Sequence, residues 1–547
     1  MLSYISKRPP AGKTLFGTTE QVGGSHGLFS SFNAIGGRSD KFEYLVDLSY
    51  RKADGQRKNG DYKVTSGDVY VSYDLGEGNK IGLDLRGYRV DSGLAGLQTI
   101  QQFNADPSTT TTPNDREWID RTTGALRGTF QLTDDLTLDG KVWTGEQRLT
   151  TRAGGAASTA LTDQRYHFSG VDARFRQRLS RSEWLTFGYT GYVSRSPWYV
   201  YTGSSPQVGR EDTSAPLTYS DDRKTHYSAL FVEGVWRFPG FHISPSARLE
   251  HIEVSAAESI ATGHPTNLIN RNINRTVPLL GFGIGNDFGP GNETYLNVSQ
   301  GYRPVRYQEF ASPNGNFNSA NEPDPTKYIS YEAGVHGWPL EGVFYNVSAF
   351  QANTVNKIES QASGIPGQSV NVNSGNARAR GLELEFNYNL LRLMEKKPSK
   401  QRLAWSFNLS LLDAKISESK TLAFAGGPTL AGNTTAYAPR YLVKSGLVYT
   451  VTDVLKLGLN VQSTGEQYWA DSNLPRTVAG VDVTPAKIPK ATVSDLSADW
   501  TVLPHVRLLT SVANLSDKQY YTRVFFVNGG IEPARRRTVQ AGAAIDF

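Results

Sequence analysis

Apolar and polar residues alternate one by one along most of this 547-residue chain. Residues 381–390, GLELEFNYNL, are representative. Leu382, Leu384, Phe386, Tyr388 and Leu390 share one parity; Gly381, Glu383, Glu385, Asn387 and Asn389 share the other. Successive side chains in a strand point to opposite faces, so this segment is a ribbon with one greasy side and one wet, acidic side. The pattern recurs at 42–51, 69–75, 81–86, 403–411 and 455–462, and no comparable 3.6-residue periodicity appears. The chain is expected to be all-β.

Apolar residues make up 38% and mean hydropathy is −0.42. No run of ~18 apolar residues occurs, which excludes a transmembrane helix. With no cysteine, neither a disulfide framework nor a thiolate metal site is available. A net charge of +5, without a basic run interleaved with aromatics, gives no reason to expect nucleic acid as a partner. The first residues, MLSYISKRPPAGK, contain no apolar core of a signal peptide.

Spacing separates the all-β options. Short turn signals stand at 75–80, 132–135, 179–183, 238–241, 288–292, 339–342, 451–454 and 502–505. Long polar stretches lie between them, near 92–118, 150–162, 199–222, 256–271, 304–326, 357–375, 414–433, 470–486 and 522–531. Strict alternation of tight turns and long loops is the pattern of a transmembrane barrel with short periplasmic turns and long outer loops. Strands are expected at 14–22, 26–36, 41–52, 62–75, 79–91, 119–132, 135–149, 163–178, 183–198, 223–238, 241–255, 272–288, 291–303, 327–338, 342–356, 376–390, 400–413, 434–451, 454–469, 487–502, 505–521 and 532–547. The expected fold is a 22-stranded antiparallel transmembrane β-barrel in the bacterial outer membrane, with both ends on the periplasmic side. A soluble propeller would repeat a blade signature, and none is present. In the last segment Val539, Ala541, Ala543, Ile545 and Phe547 share a face. A terminal aromatic on an alternating strand resembles the sorting signal of outer-membrane proteins.

Several stretches make the resemblance specific. TYLNVSQGYRPVRYQEF (294–310), KYISYEAGVHG (327–337), NARARGLELEFNYNL (376–390), TGEQYWAD (464–471) and SVANLSDKQYY (511–521) resemble, in order, motifs of the TonB-dependent outer-membrane transporters. In the last, Ser516 stands where phenylalanine is usual. LSYISKRPPAG (2–12) resembles the end of that family's plug domain. The resemblance implies that residues 1–12 are the remnant of a plug and 13–547 the barrel, with the rest of the plug, the energy-coupling box and the signal peptide missing from this chain. It implies uptake of iron chelates, siderophore or ferric citrate, energised through TonB in the intact protein. The partners implied are outer-membrane lipid and lipopolysaccharide, an iron chelate as cargo with no resident cofactor, and TonB through the missing segment only; the chain is expected to be a monomer. A passive porin-like channel is the alternative, and a surface β-array acting as an adhesin a third reading.

Anionic chelates call for arginine and flat ligands for aromatic platforms. The candidates for ligand contact are Trp198, Tyr199 and Tyr201, Arg303, Arg306 and Tyr307, and Tyr468 with Trp469. Set against this, aromatics at strand ends form interfacial girdles. Glu383 and Glu385 read as lumen-lining residues rather than a catalytic pair, and His167, His226, His242 and His251 lack metal-ligand spacing. No catalytic constellation appears, so the chain is expected not to be an enzyme.

Overall fold

The computed structural model describes residues 9, 12–154, 159–203, 209–263, 266, 268–311, 323–362, 369–394, 400–420, 429–525 and 530–547. The proposed plug remnant therefore lies almost wholly outside the described residues.

Twenty-three strands form one antiparallel sheet that closes on itself. Two of them, Trp184–Arg195 and Trp198–Gly203, both lie between Thr159–Arg178 and Leu217–Phe238 and so make a single stave. The interruption is Ser196–Pro197. Proline has no N–H to give the ladder, and the gap is bridged by Ser196 N donating to Arg223 O (2.8 Å) and Arg165 N donating to Pro197 O (3.1 Å). The barrel thus has the expected 22 staves. Phe16–Gly24 closes it against Thr538–Asp546, from Thr18 opposite Asp546 to Gly24 opposite Gln540. At the bottom of this seam the Phe547 ring lies over Gly17, where a Cβ would come within 2.1 Å of it.

Register sorts the side chains into two walls. Opposed positions across successive strands read Val343, Tyr388, Trp405, Leu447, Leu459, Leu496, Val512 and Val539 on the outside. One parity away, Asn346, Glu385, Asn408, Lys444 and Gln462 line the lumen. Leu126 and Val142, opposed on the outer wall, are 58% and 57% exposed, which only hydrocarbon makes tolerable. Inside, Glu43 is 3% exposed and is held by Arg38 (3.2 Å), Lys80 (2.5 Å) and Ser72 Oγ (3.2 Å). A polar core of this kind belongs to a barrel lumen.

Four expectations need correction. Strict alternation of short and long connections fails at the first outer connection, where only residues 25–27 join Phe16–Gly24 to Leu28–Ser39. Several strands run past their expected outer ends: Leu217–Phe238, Phe241–Ala261, Val343–Ala362 and Ser369–Asn389 span stretches read as loop. About 10 residues cross the membrane, so the surplus stands above it, where no lipid enforces alternation. Conversely, Tyr441–Val451, Leu455–Thr464, Val506–Ala513 and Thr538–Asp546 are shorter than expected. Finally, short helices occur at Ile100–Ala105 and Leu390–Met394, too brief to show a periodicity, and Leu390 leaves the strand there.

Leu384 lies between Val347 and Leu409 on the outer wall, whereas Glu385 lies between Asn346 and Asn408 in the lumen. Leu384→Arg is expected to cost about 2–4 kcal/mol by placing charge in hydrocarbon, and Glu385→Gln to leave stability unchanged. Urea unfolding in lipid vesicles measures both; the opposite ranking would mean the walls are inverted.

Candidate functional site

The mouth is shaped by outer loops that share a small core of their own. Phe103 reaches into it from the helix Ile100–Ala105, whose start is fixed by a reciprocal cap: Gln102 N donates to Thr99 Oγ1 (3.2 Å) and Thr99 N to Gln102 Oε1 (2.9 Å). Trp469, Ile488, Tyr521, Val524 and Ile531 complete the cluster, with the Phe103 and Tyr521 rings edge-on at 5.2 Å. Gln98 and Ile531 exchange backbone hydrogen bonds of 2.9 and 2.7 Å, tying two loops into one lid edge.

Beside this core opens a cleft of about 900 Å³. Four arginines line it, and they divide into two kinds. Arg57 is spent on backbone: its guanidinium donates to the carbonyls of Gly96 (2.6 Å), Ala95 (2.8 Å) and Thr109 (3.1 Å). Burial pulls its pKa down from the ordinary value, and the nearby Glu532 carboxylate opposes that. Arg536 is spent on Asp517, in a two-pronged pair of 3.0 and 2.8 Å, and on Gln519 at 3.2 Å. Arg51 and Arg535 line the same cleft, and neither guanidinium has a hydrogen-bond or ion-pair partner among the described residues. The two are exposed cations, available to an anion. Sequence reasoning missed them. Arg51 looks like any lumen-parity residue, and Arg535 lies in RRR at 535–537, which was expected on the last strand; that strand begins at Thr538.

The sequence-derived candidates scatter. Trp198 and Tyr307 both lie against a residue not singled out: the Arg223 guanidinium carbon lies 4.1 Å from the Trp198 ring centre and 5.4 Å from that of Tyr307. Arg223 is 2% exposed and donates to Asp221 at 2.8 Å, and the single Tyr219 O–H lies within hydrogen-bonding distance of both the Asp221 (3.0 Å) and Glu258 (2.8 Å) carboxylates. Tyr307 also hydrogen-bonds Thr225. The group is a pillar that pins the segment 304–311 to the wall through Val305, Phe310 and Ala311, packed on Ile252 and Ile273. Tyr199 and Tyr201 alternate onto the face opposite Trp198 and Val200, so SPWYVYTG does not present its three aromatics together. Arg303 pairs with Glu309 at 2.8 Å, and Arg306 N donates to the same carboxylate at 2.8 Å. Trp469 is buried in the loop core with Nε1 donating to Pro485 O (2.7 Å); Tyr468 lies under Lys487, 5.1 Å from its ring centre. His242 faces Glu293 at 4.0 Å, while His167, His226 and His251 share the outer-wall parity. No cluster of three metal-ligating side chains occurs among the described residues.

A closed 22-stave barrel, greasy outside and polar inside, with loops folded over a cation-bearing mouth, is a multi-pass receptor barrel of the bacterial outer membrane. Residues 27–515 match the family described as TonB dependent receptor-like, beta-barrel, and the chain belongs to that family. No curated protein matches it in sequence. Three solved structures have similar folds. The ferric citrate transporter FecA in its unliganded form aligns at TM-score 0.82 and 17% identity, over 99% of this chain and 80% of that one. The ferric yersiniabactin uptake receptor FyuA from Yersinia pestis aligns at 0.80 and 17%, over 99% and 81%. The copper transporter OprC aligns at 0.79 and 15%, over 99% and 82%. At such identities the likeness is one of fold.

Two outcomes follow from these pairings. Arg223→Gln leaves the Asp221 carboxylate buried without its cation and is expected to cost about 3–5 kcal/mol; adding Asp221→Asn should recover most of it in the same vesicle unfolding measurement. Asp517 is held at about 2 by the Arg536 guanidinium and the Arg537 N–H, below its ordinary 3.8. Its depressed value favours the docked loop above pH 4, and that contribution is lost as pH falls through 2. Relative to pepsin's cleavage of an unfolded reference peptide at the same pH, residues 514–537 should therefore be nicked faster at pH 2 than at pH 4, and Asp517→Asn should remove that excess.

Proposed function

We propose that this protein imports iron chelates across the outer membrane, energised through TonB, and that Arg51 and Arg535 hold the anionic cargo at the mouth. The two uncommitted guanidiniums in the 900 Å³ cleft carry this reading. Carboxylate and catecholate oxygens are what such forks recognise. Support comes from proteins with this fold, among them a ferric citrate transporter and a ferric yersiniabactin uptake receptor. In this reading the iron is cargo rather than cofactor, no catalytic step is involved, residues 13–547 are the barrel domain and residues 1–12 the end of a plug.

The test uses the gene at its own locus. Its deletion should abolish uptake of one class among ferric citrate, ferric catecholate and ferric hydroxamate, each supplied labelled to iron-starved cells. Complementation with Arg51→Ala/Arg535→Ala should raise the half-saturating concentration about tenfold or more, the loss expected from two charged hydrogen bonds, at unchanged surface amounts. Uptake that is unselective and persists without TonB would instead make the barrel a passive pore.

A further inference from the structure

The lumen holds a second cavity, in series with the cleft at the mouth. One stave, Tyr62–Gly76, links them. Tyr62 lines the cleft, and Ser66 and Asp68, further towards the periplasm on the same face of the strand, line the cavity. At the rise of a strand, Ser66 lies about 13 Å below Tyr62. The cavity has a volume of about 830 Å³ and lies against the inner wall.

Its floor is aromatic, and two glycines set how the rings lie. Across the strands Leu136–Ala153 and Thr159–Arg178, Trp143 opposes Gly170 and Phe168 opposes Gly145. Each ring folds over its glycine: a Cβ at Gly170 would come within 2.2 Å of the Trp143 ring, and one at Gly145 within 2.7 Å of the Phe168 ring. Any larger residue at either position would push the ring out into the lumen. Tyr192 continues the floor, its ring stacked with Phe168 at 6.5 Å between centres and 28° between planes. Tyr88 and Tyr166 complete the aromatic lining.

Two cations stand over these rings without a carboxylate. The Arg121 guanidinium carbon lies 5.2 Å from the Phe168 ring centre, and its Nε donates to the Thr123 hydroxyl at 3.4 Å. Lys141 Nζ lies 4.9 Å from the Trp143 ring centre. Neither joins an ion pair among the described residues. The acids around them are engaged elsewhere: Asp68 with Arg86 (3.3 Å), Asp84 with Arg127 (2.7 Å), and Asp172, which opposes Lys141, with the Thr190 hydroxyl (2.8 Å).

Resting on the reading of this barrel as an iron-chelate importer, we propose that the cavity is a second cargo station beneath the mouth, and that it takes an anion bearing aromatic rings, a ferric catecholate. The anionic oxygens engage Arg121 and Lys141, which have no carboxylate to give up, and the ligand rings lie on the aromatic floor. A chelate without rings, such as ferric citrate, gains the charge contact and forgoes the stacking. The station acts after capture, so its loss is read in the rate of passage and not in binding at the mouth.

The test supplies labelled ferric catecholate and ferric citrate to iron-starved cells carrying each variant at the gene's own locus. Wild type should take up the catecholate chelate faster. Arg121→Gln/Lys141→Gln should cut its maximal uptake rate about tenfold, while the half-saturating concentration for binding to de-energised cells, which reports the mouth, stays unchanged. Trp143→Ala should slow uptake likewise, and Trp143→Phe should restore most of the rate. Lys444→Gln, which removes a lumen charge elsewhere on the wall, should change neither quantity. Surface amounts and heat-modifiable migration show that each variant folds. Uptake of ferric citrate alone, a maximal rate indifferent to the loss of Arg121 and Lys141, or an equal fall in Lys444→Gln would each overturn the inference and leave the reading of the mouth intact. Uptake of no chelate would overturn both.

Discussion

Everything in this molecule follows from the ban on unpaired backbone in hydrocarbon. A strand edge facing lipid would leave a row of N–H and C=O groups without partners, at several kcal/mol each. The only remedy for a sheet is closure, so the decisive contact joins Phe16–Gly24 to Thr538–Asp546, more than five hundred residues apart in sequence. The same rule explains the stave broken at Pro197. The break lies at the level where the Arg223 carbonyl and the Arg165 N–H can take over the lost ladder bonds. It also explains Gly17, whose missing side chain admits the Phe547 ring at the point where the sheet ends.

Closure fixes the belt but not what rises above it. The staves from Arg116–Thr133 to Phe241–Ala261 are all 18 residues or longer when the two pieces at Pro197 are taken together, and they form a tall outer wall. Those flanking the seam, Phe16–Gly24, Val506–Ala513 and Thr538–Asp546, have 9, 8 and 9. Over the low side the loops must build their own walls, and they do so with the Phe103–Trp469–Tyr521 core. The arginine cleft lies against that low side, bounded by the short turn 25–27 and the loop before Thr538. Its place is a consequence of unequal strand lengths.

Legibility in the sequence follows the same boundary. Inside the bilayer each outward residue must be apolar, and the two-residue period survives well enough to count 22 staves. Above it, LTYSDD at 217–222 pairs as strand although it reads as loop: no lipid enforces alternation there, and Tyr219, Ser220 and Asp221 are buried one after another. In the other direction, Trp469 and Tyr521 carry strand-like or girdle-like side chains but leave the wall, since packing with Phe103 offers them more burial than an interface would. Their aromatic character was legible; the competing use for it was not. Arg223 was invisible for a similar reason. It occupies an ordinary lumen position, and only the fold brings the Trp198 and Tyr307 rings to it.

The arginines of the mouth show why charge counting along a sequence says little about a site. Arg57 and Arg536 have their N–H groups engaged by their surroundings, one by backbone carbonyls and one by a carboxylate, and their work is to hold loops. A ligand anion would have to displace three backbone acceptors or break a two-pronged pair to engage either. Arg51 and Arg535 carry no such cost, because no group among the described residues competes for their guanidiniums. Arg57 and Arg536 thus hold the loops that border the cleft, while Arg51 and Arg535 line it without a partner among the described residues. On the proposed reading, an anion able to engage both guanidiniums would gain more than a compact one held by either alone.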